Sequence, residues 1–272
     1  MAKVDILMAV YNEEARIKTS IDSIINQTYA DWRMLICDDG SVDRTYEIIA
    51  RFADEFPGKI IALKNDSNRG LTYTLNRLLD LSKAEYVARM DADDVSRPDR
   101  LRRQVEFLDN NEMYAFVGTA IIKYDEDGYF AKTIYPEEPT RKSFLWNSPF
   151  AHPTVMIRSN VIKQMNGYKD EPRTLRCEDY DLWMRIFENG YKGYNIQDPL
   201  LEYYEGRFSY SKRKFKYRIA EMRTRYSGFR ALGLLPQGLP YVIKPLIVGL
   251  IPIKCMQKIK QIKNEIGTGE KL

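Results

Sequence analysis

The first hundred residues alternate short apolar runs with amphipathic stretches of about a dozen residues, and few folds accommodate that rhythm. Val4 to Val10 is apolar, Glu14 to Asn26 places Ala15, Ile17, Ile21, Ile24 and Ile25 on one helical face, and Met34 to Cys37 is apolar again. Helical sequence from Val42 to Phe56, with Ser41 or Asp43 as its cap, leads to a third apolar run at Lys59 to Leu63. A helix from Leu71 to Ser82 and a fourth strand at Tyr86 to Met90 follow. Strands that are apolar without strict alternation are buried on both faces. The pattern therefore predicts an α/β fold with a Rossmann-like, mostly parallel central sheet flanked by helices. Ligands bind such sheets beyond the carboxyl ends of the strands. The polar clusters fall there: Tyr11-Asn12-Glu13-Glu14, Asp38-Asp39-Gly40-Ser41 and Asp91-Ala92-Asp93-Asp94 end strands, while Asn68-Arg69-Gly70 opens the third helix.

Past Pro98 the rhythm changes. A helix from Asp99 to Asn110 precedes strand-like Ala115 to Tyr124, a turn at Asp125 to Gly128, and a proline-rich stretch running to Thr154–Ile157. Helical spacing returns at Glu178 to Asn189, Leu200 to Tyr204 reads as a late strand, and Lys212 to Ala231 as a basic helix. Charge is distributed unevenly. Residues 206–272 carry 15 Lys and Arg against 3 Asp and Glu, on a body that is net acidic. A basic tail suits an anionic surface or ligand. No base-reading motif accompanies it, which argues against nucleic acid.

Leu239 to Ile253 is apolar but interrupted by Pro240, Lys244, Pro245 and Pro252. Fifteen helical residues span roughly 22 Å, short of the ~30 Å hydrocarbon core. A segment lying in the membrane interface fits, because basic residues from Lys254 to Lys263 follow directly. A buried helix or a homodimer contact fits equally. Cys37, Cys177 and Cys255 lack ligand spacing, and an odd count with no basic leader before the first apolar run predicts a reducing, cytoplasmic setting.

Three carboxylates within four residues, Asp91, Asp93 and Asp94, repel one another unless a cation neutralises them. Hard oxygen ligands of this kind suit magnesium or manganese. A solvated turn or helix cap before Pro98 reads the same residues without an ion. Asp38-Asp39-Gly40-Ser41 is turn sequence as well as a possible acceptor for base and ribose hydrogens. Glu178-Asp179 is either a pair of helix N-terminal acids favoured by the macrodipole or a catalytic pair. His152, the single histidine, reads as an acceptor-site residue or as a structural hydrogen-bonding group.

Taken together, Val10-Tyr11-Asn12-Glu13, Asp38-Asp39-Gly40-Ser41, Asn68-Arg69-Gly70, Asp91-Ala92-Asp93-Asp94, and Glu178-Asp179 ahead of Leu182-Trp183 resemble the inverting family 2 glycosyltransferases. The resemblance covers roughly residues 4–205. It implies a GT-A catalytic domain over residues 1–205, with a nucleotide-binding half (1–98) and an acceptor-binding half (99–205). Residues 206–272 would be a basic, helical, membrane-associating extension. It also implies a UDP-sugar donor contacted by Val10, Tyr11, Glu13, Asp39, Asn68, Gly70, Asp91 and Ala92. Tyr11 and Asp39 would hold uracil, and Asp93 with Asp91 would hold Mn2+ or Mg2+. Asp179 would be the base that deprotonates the acceptor. The Gln-x-x-Arg-Trp of processive members is missing, which predicts transfer of single sugars. Where many relatives place a metal-binding His, this chain has Gly206-Arg207-Phe208, so Arg207, with Lys212 and Arg213 nearby, is expected to neutralise the diphosphate. The implied acceptor is a lipid-linked glycan of a cell-surface polysaccharide, reached from the inner membrane face through residues 239–263. Sugar-nucleotide synthesis and non-catalytic binding of a nucleotide sugar are the competing functions. The acidic sequence after the first strand, where a nucleotidyltransferase needs a basic glycine-rich loop, weighs against the former.

Overall fold

Asp38, ending the second strand, and Asp91, just past the fourth, lie at the same edge of one sheet, because the first four strands run parallel. The computed structural model describes residues 2–206 and 214–250. β1 (Val4–Val10) pairs in parallel with β2 (Trp32–Asp38) on one side and β4 (Tyr86–Arg89) on the other, and β3 (Ile60–Lys64) extends the sheet beyond β2. Between them run α1 (Ile17–Ile25), α2 (Thr45–Glu55) and α3 (Leu71–Leu81). α1 buries Ile17, Ile21 and Ile24 as its periodicity predicts, but Ala15 precedes the helix and is exposed.

The second half corrects the expectation of a mostly parallel sheet. β5 (Val95–Ser96), α4 (Arg100–Asn110), β6 (Tyr114–Asp125), β7 (Gly128–Thr133), β8 (Met156–Arg158), α5 (Ser159–Gln164), α6 (Glu178–Glu188) and β9 (Lys192–Tyr204) follow in order. The sheet runs β3-β2-β1-β4-β8-β6-β9-β5, with β7 also on β6. β8 runs against both β4 and β6, β7 against β6, and β5 against β9. The sheet is therefore mixed. A two-residue turn can join β6 to β7 only as an antiparallel hairpin, whereas β9 lies parallel to β6 because helices separate them. Pro199 is accommodated in β9 because the β6–β9 register slips beside Ala120.

Alternate residues of β1 feed two cores. Val4, Ile6, Met8 and Val10 meet α1, α2 and α4 on one face, and Leu7 meets α3 and α6 on the other. Trp183 of α6 stacks on Phe116 of β6 at 4.8 Å, which fixes α6 to the sheet. Burying a ring of that size is worth about 3 kcal/mol, with about 1 more from the ring pair. α7 (Phe215–Ala231), its C-cap Leu232 and α8 (Leu239–Leu250) contribute Phe229, Leu232 and Val242 to this same core.

The loops after β1 and β2 are stitched together. Asn12 N donates to Ser41 Oγ (2.9 Å), Val42 N to Asn12 Oδ1 (3.0 Å), Glu13 N to Thr45 Oγ1 (2.9 Å) and Glu14 N to Asp43 Oδ2 (3.2 Å). Ser41 and Asp43 thus serve this junction, and neither occupies the cap position of α2, which is Arg44. Gly40 sits at φ +75°, and a Cβ there would lie 2.7 Å from the carbonyl carbon of Ser67. Gly40→Ala is expected to destabilise the fold by about 2 kcal/mol or more, from strain and clash together. Chemical denaturation of the two proteins checks this, and an unchanged midpoint would show that the 38–41 turn is not confined as described.

Candidate active site

The chain leaves β1 for β2 and β3 on one side, then returns to place β4 on the other side of β1. A crevice opens at the carboxyl edge where strand order reverses in this way. Tyr11 to Glu13 follow β1 at this edge, and Asp91 to Asp94 follow its parallel neighbour β4. Ser20 Oγ of α1 donates to Asp91 O at 3.0 Å. Val10 and Ala92 are buried, and Glu13 is half-buried and ion-paired with Arg16 at 3.4 Å. Tyr11 is 44% exposed, so its ring is free to face a planar ligand.

Asp39 is buried behind this crevice. Its Oδ1 accepts from Asn65 Nδ2 (2.7 Å), Arg69 N (2.9 Å) and Thr74 Oγ1 (3.0 Å), and its Oδ2 from Gly70 N (2.8 Å). The carboxylate therefore shapes the 68–70 loop and neutralises the backbone donors that open α3. Gly70 adopts φ +91° there, and Asn68 is exposed. Asp38 accepts from Ser41 N and closes its own turn.

The Asp91, Asp93 and Asp94 carboxylates bring ligand oxygens within 4.8 Å of one another. Among the described residues no other trio of His, Cys, Asp or Glu is so placed. Burial, then Asp91 and Glu13, push Asp93 up to about 7, with Arg16 opposing. Burial, then Asp91 and Asp93, hold Asp94 well above the usual range, with the Tyr204 N–H and Arg89 opposing. Asp94 Oδ1 accepts from Tyr204 N (2.9 Å), while its buried Oδ2 has no hydrogen-bond partner. An orphaned buried oxygen beside two further carboxylates fits a hard divalent cation such as Mg2+ or Mn2+.

Sequence reasoning missed the cations that offset this cluster. Arg89, buried inside the apolar strand β4, donates to Asp91 Oδ1 and to the carbonyls of Leu7 and Met90. Arg100 is fully buried and donates to Arg89 O at 2.6 Å. Arg16 lies over the Tyr204 ring and donates to its hydroxyl at 2.6 Å. An arginine interrupting a run such as Tyr-Val-Ala-Arg-Met was the available signal, since a buried cation needs a partner nearby.

α6 brings the second acidic group to the same crevice. Glu178 and Asp179 occupy its first turn. Burial raises Asp179 to about 6, with Asp91 adding to the effect and the backbone N–H groups of Tyr180 and Asp179 opposing it. Burial and Asp179 push Glu178 up to about 7. Tyr168 feels Asp91, Glu178 and Asp179 together, and Tyr135 feels Asp179 and Glu205. Tyr168 OH meets His152 Nε2 at 2.8 Å, and the His152 ring packs edge-on to Trp183. Burial and Arg89 hold His152 well below its ordinary pKa, so it is a neutral hydrogen-bonding group. Glu13, Asp91, Asp93 and Asp179 thus lie within electrostatic reach of one another in a chain, Glu13 to Asp93 and Asp91 to Asp179, with Tyr11 in the loop that also carries Glu13. Arg207, Lys212 and Arg213 lie outside the described residues.

The family model for glycosyl transferase family 2 matches residues 5–165. A putative glycosyltransferase of Bacillus subtilis, EpsE, is 36% identical, covering 97% of this chain and 95% of the relative. An O-antigen biosynthesis glycosyltransferase of Escherichia coli, WbnJ, is 33% identical over 74% of this chain and 78% of its own. WfaP of E. coli, named a UDP-Glc:alpha-D-GlcNAc-diphosphoundecaprenol beta-1,3-glucosyltransferase, is 29% identical over 79% and 82%. Among solved structures, S. aureus TarS with UDP-GlcNAc superposes with a TM-score of 0.70, at 16% identity over 89% of this chain and 73% of that one. The Pyrobaculum calidifontis mannosyltransferase PcManGT, with GDP-Man and Mn2+, superposes at 0.63, with 18% identity over 96% and 79%.

Carboxylates held above their ordinary range keep protons that the unfolded chain releases. Between about pH 4 and 7 the folded state binds more protons, so stability falls as pH rises through that window. The melting temperature of metal-free protein is expected to drop from pH 5 to pH 8, and Mn2+ to raise it far more at pH 8. Differential scanning fluorimetry checks both trends. A stability that rises toward pH 8 without metal would contradict the burial of these charges.

Proposed function

The chain belongs to glycosyltransferase family 2, and from that premise we propose that it moves one sugar from a UDP-sugar to a lipid-linked saccharide, with inversion at the anomeric carbon. Family membership makes it a glycosyltransferase and sets aside sugar-nucleotide synthesis and purely passive binding. The observation that carries the finer reading is the placement of Asp179 and the Asp91–Asp94 carboxylates around one crevice, close enough for Asp91 to raise the pKa of Asp179.

In this reading the half-exposed Tyr11 ring lies against uracil. Asp39 Oδ2, which accepts one hydrogen bond, retains a lone pair for the imide N–H. Val10, Glu13, Asn68, Gly70 and Ala92 shape the loops around the nucleotide. Asp93, with Asp91, would hold a divalent ion, which would supply positive charge against that growing on the departing diphosphate. Arg89 keeps Asp91 oriented by binding one of its oxygens. Asp179 takes the proton from the acceptor hydroxyl as that oxygen attacks the anomeric carbon, opposite the leaving UDP. A base raised to about 6 is still ionised at neutral pH and a stronger proton acceptor than an ordinary carboxylate. One displacement requires no enzyme nucleophile, and therefore inverts.

A lipid-borne acceptor demands a membrane surface. Leu239, Ile243, Ile247 and Leu250 form an exposed stripe along α8, with exposure rising from 42% to 76% toward the end of the helix. Lys214, at the N-cap of the neighbouring α7, and Lys216, Arg223 and Arg230 within it are exposed. Apolar stripe and basic flank together match an anionic bilayer, from the cytoplasmic side. No helix of the described residues is long and apolar enough to cross a membrane. Residues 251–263 of the proposed contact lie outside the described residues. WfaP acts on a diphosphoundecaprenol-linked sugar by its name, and WbnJ is named for O-antigen, which support a role in surface polysaccharide assembly.

Asp179→Asn is expected to leave UDP binding within about twofold and to lower transfer at least a thousandfold, within the range for losing a general base. Calorimetry with UDP and Mn2+, beside a UDP-release assay over a panel of sugar nucleotides, reads both. Transfer at near wild-type rate would place the base elsewhere, and release of GDP instead of UDP would overturn the donor. Ile243→Asp with Ile247→Asp should abolish flotation with phosphatidylglycerol vesicles while UDP binding persists, and continued flotation would remove α8 from the membrane contact.

A further inference from the structure

The base helix α6 must hold Asp179 to a fraction of an ångström, and the residue beside Asp179 shows what holds it. The Tyr180 ring stacks on Phe144 with centroids 6.1 Å apart, and its hydroxyl donates to Phe144 O. Over the Tyr180 ring, 5.2 Å from its centroid, sits the guanidinium of Arg225 from α7. Arg225 is 1% exposed. It donates to Leu145 O (3.0 Å), Trp146 O (3.1 Å) and Asn147 Oδ1 (3.4 Å), and twice to Glu221 Oε1 (3.0 and 2.9 Å). One buried side chain therefore gathers three consecutive residues of the 145–147 segment and presses them, through Phe144 and Tyr180, against the first turn of α6.

Its neighbours act in the same direction. Thr224, fully buried, donates to Arg173 O at 2.5 Å, and Arg173 in turn donates to Asp181 Oδ1 of α6 at 2.7 Å. One turn further along, a Cβ on Gly228 would lie 2.2 Å from Met184 Sδ, so α7 lies against α6 as closely as glycine permits. None of these partners belongs to the Tyr11, Asp39, Gly70 or Asp91–Asp94 clusters.

We propose that Arg225 is a positioning residue for Asp179, acting through the 144–147 segment and Tyr180, so that α7 is part of the transfer machinery while the donor site is independent of it. This rests on the reading of Asp179 as base. A misplacement of about 1 Å at a reacting group costs on the order of a hundredfold in rate. Arg225→Met in the full-length chain should therefore lower kcat by about that factor, with KM for the sugar nucleotide and the affinity for UDP with Mn2+ within twofold of wild type. Arg225→Lys keeps the charge and part of the hydrogen bonding, and should recover about tenfold of the loss.

Steady-state kinetics and calorimetry with UDP measure the split, and thermal melts confirm folding. If Arg225→Met does not fold, Arg225→Lys and Thr224→Val carry the test, each with an expected loss in kcat of tenfold or more at unchanged UDP affinity. An unchanged kcat in these variants overturns the proposal, as does a parallel loss of UDP affinity, which would mark a general structural role. Asp179→Asn keeps the two readings apart. Inactivity there with unaffected Arg225 and Thr224 variants removes only this inference, whereas activity there removes the base assignment itself.

Discussion

Burying like charges is the constraint around which this molecule is arranged. Asp91, Asp93 and Asp94 sit together at the end of an apolar strand, where each carboxylate raises the cost of ionising the next. The surrounding structure offsets that cost from three directions. Arg89 reaches Asp91 from within β4, Tyr204 N reaches Asp94 from the end of β9, and Arg16 approaches Asp93 from the start of α1. Parallel strands deliver the acids, but the antiparallel and late strands deliver much of what makes them tolerable. Tyr124 of β6 also donates to Asp93 O at 3.0 Å. The mixed half of the sheet is thus a wall of the site.

The turn after β2 was legible because its signals are local. An apolar run, then Asp-Asp-Gly-Ser, specifies a strand end and a turn within a dozen residues, and Gly40 at φ +75° is what such a turn requires. The stitching of Asn12 to Ser41 and Val42 was not legible, since it joins residues about thirty positions apart that the sheet alone makes neighbours. The same holds for Asp39. Its sequence position suggests an exposed acceptor, yet four protein donors converge on it from Asn65, Arg69, Gly70 and Thr74.

Strand direction in the second half was misread for a different reason. Residues 99–158 carry few strong helices between strands, and without a crossover helix the direction of a strand follows from turn geometry and tertiary pairing. β8 has three residues and β5 two, too short for any periodic signal. The first eight residues of β9 were missed because Pro199 and polar Asn195, Gln197 and Asp198 break its pattern. A register slip against β6 absorbs them, and only the partner strand reveals that.

The C-terminal helices show how a charge imbalance read from sequence acquires a second meaning. The basic excess suggested a surface, and α8 does carry an exposed apolar stripe. Yet Arg225, part of that excess, points inward, and its charge is spent on Glu221 and backbone carbonyls beneath α6. Lys244 of α8 donates to Trp146 O at 2.7 Å and lies 3.7 Å from the Trp146 ring centroid. The 145–147 segment is therefore held by α7 from within and by α8 from outside. Since Phe144 joins that segment to Tyr180 and the first turn of α6, whatever surface α8 rests on is mechanically continuous with the acidic pair at the crevice. α8 and the first turn of α6 thus share one clamped segment. Under the proposed function, an acceptor held at the bilayer would meet Asp179 at a height set by that one segment.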